Sequence, residues 1–214
     1  MKKYGCIGKK LTHSFSRDIH ARLADYKYEL IELTEEELQP FFENKNFEAV
    51  NVTIPYKQTV IPFLSEVSET AREIGSVNTV VRREDGSLYG DNTDAYGFDK
   101  LCKSIRADFA GRKTLILGSG GTSRTALCVV LSQGGRPVVI SRNGKDNYDN
   151  LSRHQDAEYI INTTPVGMYP KMEATPVDLE QFPNLRGVVD VIYNPMRTRL
   201  VQQAQKLGIP ATGG

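Results

Sequence analysis

The chain has 214 residues, of which 39% are hydrophobic and 25% charged, and its formal net charge is +1. Such a composition is typical of a globular protein with room for one large or two small domains. The near-neutral charge and the lack of basic clusters among aromatic residues argue against nucleic acid and acidic membranes as partners. Apolar runs of only a few residues predict no membrane span and no signal peptide.

The three cysteines are Cys6, Cys102 and Cys128, an odd number at wide spacing. They are interpreted as reduced, buried thiols, which are typical of a cytoplasmic protein. No histidine has metal-ligand spacing to a cysteine, so no metal site is predicted.

Short apolar stretches alternate with amphipathic helical ones, which predicts an α/β protein with largely parallel sheets. In the first half we expect strands over residues 4–7, 28–33 and 50–53 and a helix over 16–23. Thr34 is expected to cap a further helix, with Glu37 completing its capping box. The pair Asp85-Gly86 predicts a hairpin between strands 77–82 and 87–89.

A helix over residues 93–105 is predicted from its apolar spacing and would bridge two domains. Strands at 114–117, 138–140, 159–161 and 188–192, with a helix over 122–133, have the intervals of βαβ units. The polar stretch 143–150 is predicted to be a surface loop.

The run Asn51-Val52-Thr53-Ile54-Pro55-Tyr56-Lys57 places an amide, a hydroxyl and an amine at the end of a short apolar strand. Pro55 has no N–H and therefore ends the strand ladder. Open parallel sheets bind ligands at such strand ends, where a lysine can exchange a proton with a substrate. The alternative is a solvated lysine after a turn.

Gly118-Ser119-Gly120-Gly121 lies between an apolar strand and a helix that begins near Thr122. Glycines let the backbone approach a pyrophosphate, and the helix N-terminus offers unpaired N–H groups to it. The pattern indicates a dinucleotide site; the alternative is a purely structural turn.

The next strand ends at Ser141-Arg142, where an NAD site usually carries an acidic residue. An arginine can bind a 2′-phosphate through charge-assisted hydrogen bonds, so NADP is predicted as the cofactor. The alternative is an arginine that only follows the strand into solvent.

Four further clusters place small polar groups at the ends of elements: Ser14 with Ser16, Asn51 with Thr53 and Lys57, residues 76–79, and Asn92-Thr93-Asp94. Each could be a cap or a turn alone, but together they suit a polyhydroxylated ligand with a carboxylate. Lys57 and Asp94 are the pair able to move a proton during hydride transfer to a ketone, and we expect them to face one cavity. The alternative is a salt bridge without a catalytic role.

These motifs resemble those of the shikimate dehydrogenases over nearly the whole chain. The motifs are His13-Ser14-Phe15-Ser16, the stretch 51–57, Gly75-Ser76-Val77-Asn78-Thr79, Asn92-Thr93-Asp94, the stretch 118–121, Arg142, the stretch 162–168 and the stretch 190–195. The resemblance implies reversible, NADP-dependent reduction of 3-dehydroshikimate to shikimate in chorismate and aromatic amino-acid biosynthesis.

The resemblance also implies a role for individual residues. Lys57 and Asp94 would be catalytic, and Ser14 and Ser16 would bind the substrate carboxylate. The further substrate contacts would be Asn51, Thr53, Asn78 and Tyr193. The cofactor-binding residues would be Gly118, Ser119, Gly120, Gly121, Thr122, Ser141, Arg142, Thr163, Gly167 and Met168.

The sequence departs from the family pattern at Lys10, Arg17, Ala21 and Ser141. In the family, a Gly-Gly pair precedes a helical segment with a substrate-binding glutamine, and here the sequence ends at that pair. Two alternatives stay open: a dual-specificity quinate/shikimate dehydrogenase, and a non-catalytic shikimate-binding short form.

The predicted fold is α/β, with a substrate-binding catalytic domain over 1–105 and a Rossmann-type, doubly wound, parallel-sheet NADP domain over 106–214. The predicted partner is the small-molecule substrate, without nucleic acid or membrane. A homodimer is compatible with the sequence, and the expected location is cytoplasmic.

Overall fold

The computed structural model describes residues 3–12, 14–23 and 25–214, and the chain divides into two compact units, Met1–Thr93 and Asp94–Gly214. The sequence predicted a boundary between residues 105 and 106, just after the helix Asp94–Ser104. The observed boundary lies just before that helix. That helix, Asp94–Ser104, belongs with the second unit by its contacts instead of forming a bridge.

The first unit contains one six-stranded sheet. In chain order its strands are β1 Tyr4–Gly8, β2 Tyr28–Glu32, β3 Ala49–Val52, β4 Glu66–Val67, β5 Thr79–Arg82 and β6 Leu88–Asp91, and their order in the sheet is β2-β1-β3-β5-β6-β4. β1 pairs in parallel with β2 and β3, whereas β5 pairs antiparallel with β3 and β6. The sheet is therefore mixed. The predicted hairpin at Asp85-Gly86 is confirmed, with Gly86 at φ +79°, and it accounts for the antiparallel pairing of β5 with β6.

Among the described residues of this unit, three α-helices accompany the sheet: α1 Ser16–Leu23, α2 Leu38–Asn44 and α3 Glu69–Ile74. The capping prediction at Thr34 was wrong, because α2 begins at Leu38 after an uncapped Glu37. Half of the expected box exists, since the Glu37 carboxylate accepts a hydrogen bond from the Thr34 N–H (2.7 Å). The core joins α2 to the sheet through Leu38, Phe42 and Val50.

The second unit contains a five-stranded sheet in which every pairing is parallel. Its strands are β7 Lys113–Leu117, β8 Arg136–Ile140, β9 Tyr159–Asn162, β10 Gly187–Asp190 and β11 Ala211–Gly213, and their order is β11-β10-β9-β7-β8. The chain passes from β7 to β8 on one side and continues with β9 on the other. A topological switch point therefore lies between β7 and β9, where open α/β sheets bind their ligands.

The helices of this unit are α4 Asp94–Ser104, α5 Gly121–Ser132 and α6 Arg199–Lys206. α4 packs on α5, and α6 packs on β10 and β11. The predicted Rossmann-type α/β arrangement is confirmed. The stretch 143–150 is not wholly irregular, because a 3₁₀ segment, Tyr148–His154, begins within it.

Candidate functional site

The polar residues after β3 lie at the carboxyl end of the first sheet. Thr53 follows β3 directly, and its N–H donates a hydrogen bond to the Ile7 carbonyl of β1 (3.0 Å). The Tyr56 N–H donates to the Thr53 carbonyl (2.9 Å), so the chain turns tightly after the strand. Thr53 is thus held at the end of β1 and β3, which is where the sequence predicts that a ligand binds.

Lys57 is half-buried in the same turn. Its carbonyl accepts a hydrogen bond from the Val77 N–H (2.7 Å), which ties the turn to the segment preceding β5. Burial raises the pKa of the Cys6 thiol to about 11, and the positive charge of Lys57 opposes that rise. Cys6 stands opposite Asn51 in the β1–β3 register.

Asn51 and Asn78 are joined by a chain of hydrogen bonds. Asn51 Nδ2 donates to Thr79 Oγ1 (3.2 Å), and Thr79 Oγ1 donates to Asn78 Oδ1 (3.0 Å). The buried Asn78 also accepts from the Thr93 N–H (2.9 Å) and donates from Nδ2 to Thr93 Oγ1 (3.0 Å). Two of the predicted substrate-binding amides are therefore fixed by their neighbours within one network.

Ser14 and Ser16 lie together before and at the start of α1. Ser14 Oγ donates to Ser16 Oγ (3.1 Å) and accepts from the Ser16 N–H (3.3 Å). Two hydroxyls and a helix N-terminus thus converge, which is an arrangement suited to a carboxylate. His13, the first residue of this predicted motif, lies outside the described residues.

His20 is a polar group of this region that the sequence analysis missed. Its ring stacks on Tyr28 (centroids 3.8 Å apart), and its Nδ1 hydrogen-bonds the Tyr26 hydroxyl. Burial lowers the pKa of His20, and a hydrogen bond with Asn51 opposes this effect. Tyr28 in turn donates to Asn51 Oδ1 (2.6 Å), so His20 and Tyr28 both orient the Asn51 amide. The helical spacing of His20 from Ser16 is the signal that could have indicated its position.

In the second unit, Asp94 is the first residue of α4, where a carboxylate is stabilised by the helix dipole. Asp94 follows Thr93, whose backbone N–H and side-chain hydroxyl are both hydrogen-bonded to the Asn78 side chain. The expectation that Asp94 and Lys57 face one cavity stays a prediction.

The glycine loop joins β7 to α5 at the switch point. Gly118 has φ +110°, and its N–H donates to the Ile140 carbonyl of β8 (2.8 Å). Thr163, which follows β9, donates from both N–H (2.9 Å) and Oγ1 (2.6 Å) to the Leu117 carbonyl. A methyl group at Gly118 would lie 2.7 Å from Thr163 Oγ1, whereas one at Gly120 would meet no atom within 4 Å. The loop therefore packs closely on β9 and leaves open space along Gly120.

Ser141 and Arg142 follow β8 as predicted. The Ser141 N–H donates to the Asp146 carbonyl (3.2 Å) and its own carbonyl accepts from the Gly144 N–H (3.3 Å), forming a compact turn. Burial raises the pKa of Tyr148, and the positive charge of Arg142 opposes that rise. The Arg142 residue itself is exposed and available to an anion.

The loop after β9 and the loop after β10 carry the remaining predicted residues. Gly167 is buried at φ +97°, while Met168 and Tyr193 are 43% and 55% exposed. The Tyr169 N–H donates to the Asn194 carbonyl (3.0 Å), which joins the two loops. The second unit thus brings Gly118 and Thr163 into close proximity and places Met168 and Tyr193 on joined loops.

Asp190, at the end of β10, is a buried carboxyl group whose pKa differs between the folded and unfolded states. Burial raises its pKa above the ordinary 3.8, and hydrogen bonds from Thr198, Ile192 and Asn162 oppose that rise. The folded state therefore holds the proton more tightly than the unfolded state. The resulting stabilisation is complete below pH 3.8 and is lost as pH rises through the raised pKa.

Accordingly, the stability of Asp190→Asn relative to the wild type is expected to increase as pH rises from about 4 to about 7. Urea unfolding at several pH values measures this difference. The control is Asp108→Asn, because a hydrogen bond from Arg112 lowers the pKa of exposed Asp108, so its contribution is already present above pH 3.8 and the difference from the wild type should stay nearly constant from about pH 4 to about 7. A pH-independent difference for Asp190→Asn would contradict the prediction.

In the described part of the chain, no helix is both long and apolar enough to cross a bilayer. Among those same residues, no three histidine, cysteine or acidic side chains are grouped as metal ligands would be.

Comparison with known proteins adds independent findings. Residues 6–80 match the family model described as the shikimate dehydrogenase substrate binding domain. The whole chain aligns, at 36% identity, with 86% of the NADP(+) shikimate dehydrogenase of Clostridium beijerinckii. It also matches a crystal structure of a chorismate mutase/shikimate 5-dehydrogenase fusion protein from Clostridium acetobutylicum, with 37% identity and a TM-score of 0.89, over the whole of this chain and 85% of that one.

A third match is the Thermus thermophilus shikimate 5-dehydrogenase, whose structure was determined in complex with NADP(H) and shikimate. The identity is 28% and the TM-score 0.84, over 99% of this chain and 87% of that one. The similarity therefore extends through both units.

Proposed function

The chain belongs to the shikimate dehydrogenase family, and from that premise we propose that it catalyses the NADP-dependent, reversible interconversion of 3-dehydroshikimate and shikimate. The observation that carries the proposal is the glycine loop at the topological switch point, followed by Arg142 after the next strand. A loop of this kind suits a dinucleotide, and an arginine instead of an acid suits a 2′-phosphate. The reaction belongs to chorismate and aromatic amino-acid biosynthesis.

The cofactor supplies the hydride chemistry, since its nicotinamide accepts a hydride from the carbon that bears the reacting hydroxyl of shikimate. We propose that Gly118, Ser119, Gly120, Gly121 and Thr122 hold the pyrophosphate. Ser141 and Arg142 hold the 2′-phosphate end. Thr163, Gly167 and Met168 border the nicotinamide.

On the substrate side, Ser14 and Ser16 bind the carboxylate, and Tyr193 is a further contact. Asn51, Thr53 and Asn78 bind ring hydroxyls; the fixed amides of Asn51 and Asn78 support this assignment because they need no reorganisation to bind. Lys57 accepts the proton of the reacting hydroxyl during oxidation and returns it during reduction. Asp94 shares that hydroxyl and orients the amine.

The test is the rate of nicotinamide reduction with shikimate or quinate, each in the presence of NADP or NAD. Shikimate with NADP should be the fastest combination. Comparable turnover of quinate would favour the dual-specificity alternative. Shikimate binding without turnover in any combination would favour a non-catalytic binding protein.

Arg142→Leu should raise the KM for NADP by about 10- to 100-fold, because a charge-assisted contact to a phosphate contributes about 1.5–3 kcal/mol. The KM for NAD should stay near its wild-type value, since NAD has no 2′-phosphate. Steady-state kinetics with both cofactors measure the two constants. An equal increase in both would contradict the role given to Arg142.

The partner is a small-molecule substrate, and we infer no role for nucleic acid or membranes. The homodimer stays a prediction that light scattering can test. The cytoplasmic location also stays a prediction; it is supported by Cys6, Cys102 and Cys128, which form no disulfide with one another.

A further inference from the structure

Asp190 carries a fully buried carboxylate that the proposed chemistry does not use. Its Oδ2 accepts a hydrogen bond from Thr198 Oγ1 (2.7 Å), and its Oδ1 accepts from Asn162 Nδ2 and from the Ile192 N–H, both at 3.1 Å. Burying a carboxylate is costly even when it is paired, and an apolar side chain would avoid that cost. The packing of the sheet alone therefore does not require an acid at this position.

One of these donors is hydrogen-bonded to the loop after β9. Asn162 ends β9, and its Oδ1 accepts from the Thr164 N–H (3.0 Å) and from Thr164 Oγ1 (2.7 Å). Its Nδ2 also donates to the Val166 carbonyl (3.3 Å). Asn162 thus transmits the position of Asp190 to the loop 163–168, which carries Thr163, Gly167 and Met168.

The other two donors belong to the loop after β10. The Ile192 N–H and the Thr198 hydroxyl lie on either side of Tyr193 in the chain, and both bind Asp190. Thr198 is buried and also caps α6, since its Oγ1 accepts from the Val201 N–H (3.3 Å). Both ends of the loop 191–198 are therefore fixed at one carboxylate.

We propose that Asp190 is a positioning residue that fixes the loop 163–168 relative to the loop 191–198. The consequence for catalysis rests on the proposed function, in which the first loop borders the nicotinamide and the second presents Tyr193 to the substrate. A single anchor gives both loops one geometry, and small displacements of positioned groups reduce turnover strongly.

The test compares Asp190→Ala with the wild-type full chain, without ligands, by hydrogen exchange resolved to peptides. Exchange in both loops should become about tenfold faster, because both lose their common acceptor. The kcat/KM for shikimate should fall about 100-fold, with higher KM values for both NADP and shikimate. Val188→Ala is the matched control, since it removes buried methyl groups from the same strand, where Val188 belongs to the core cluster of Leu115 and Ile160. It should lower stability without selectively accelerating the loops.

Asp190→Asn should restore slow exchange and most of the turnover, because its carbonyl oxygen still accepts and the Thr198 hydroxyl can accept from the new amide. If Asp190→Ala does not fold, Thr198→Val tests the same anchor through faster exchange in the loop 191–198. Exchange changes no larger than those of Val188→Ala would overturn the proposal. Wild-type protein that does not oxidise shikimate would refute the proposed function, and the loop exchange would still decide whether Asp190 is the anchor.

Discussion

Replacing Lys57 with alanine is expected to lower kcat for shikimate by about 10²- to 10⁴-fold, the usual contribution of a positioned general acid or base. Without the amine, the variant lacks the proposed base that removes the hydroxyl proton as hydride leaves the ring carbon. The KM for shikimate should change much less, because the serine hydroxyls and the two fixed amides still bind it. Steady-state kinetics and equilibrium binding of shikimate separate the two effects.

Two further variants sharpen this experiment. Lys57→Arg keeps the positive charge, but a guanidinium does not give up its proton, so this variant should be nearly as slow as Lys57→Ala. Lys27→Ala removes an exposed amine from the same unit, where it pairs with Glu29, and should leave kcat unchanged. Recovery of turnover in Lys57→Arg would show that Lys57 acts through its charge alone. Near-native turnover in Lys57→Ala would exclude any catalytic role.

The parts of the fold with a local signal could be predicted from the sequence. Asp85-Gly86 determines a tight turn, and its hairpin was placed correctly. The strands β7 and β8 and the helix α5 were predicted within one or two residues, because apolar runs and glycines mark their limits. The short strands β4 and β11 were missed. Strands of two or three residues carry no alternating pattern of their own, because their conformation depends on pairing with β6 and β10.

α6 was missed although its signals are present. Thr198 caps the helix, and Leu200, Val201 and Ala204 form its buried face. At Thr34, the reverse error occurred: the capping-box spacing is present, but the chain delays the helix to Leu38. Local patterns thus indicate where a helix can begin, while packing decides where it does begin.

The positions of the candidate residues were more predictable than their connections. Strand ends alone indicated Asn51, Thr53 and Gly118. The hydrogen bonds that join Asn51 to Asn78, and Asp190 to both of its loops, depend on strand register. Periodicity gives no information about register between strands distant in sequence. Asp190 was overlooked for this reason, whereas His20 was overlooked although its helical spacing from Ser16 was present in the sequence.

Gly118→Ala is expected to destabilise the protein by about 1–3 kcal/mol even without cofactor, and to weaken NADP binding strongly. At φ +110° a side chain is strained, and its methyl group would lie 2.7 Å from Thr163 Oγ1. Because that hydroxyl donates to the Leu117 carbonyl, Thr163 cannot move aside without breaking the contact between β7 and the loop after β9. Denaturant unfolding and calorimetric titration with NADP measure the two effects.

Gly120→Ala separates the effect of a side chain on folding stability from its effect on NADP binding. Gly120 has an ordinary φ of −81°, and a methyl group there meets no protein atom within 4 Å. The free energy of unfolding of the Gly120→Ala variant should therefore equal that of the wild type. NADP affinity should still fall, because the added methyl group occupies the space through which the backbone approaches the pyrophosphate. Unchanged NADP affinity in Gly120→Ala would mean that the pyrophosphate does not lie on this loop, and the cofactor assignment would have to be abandoned.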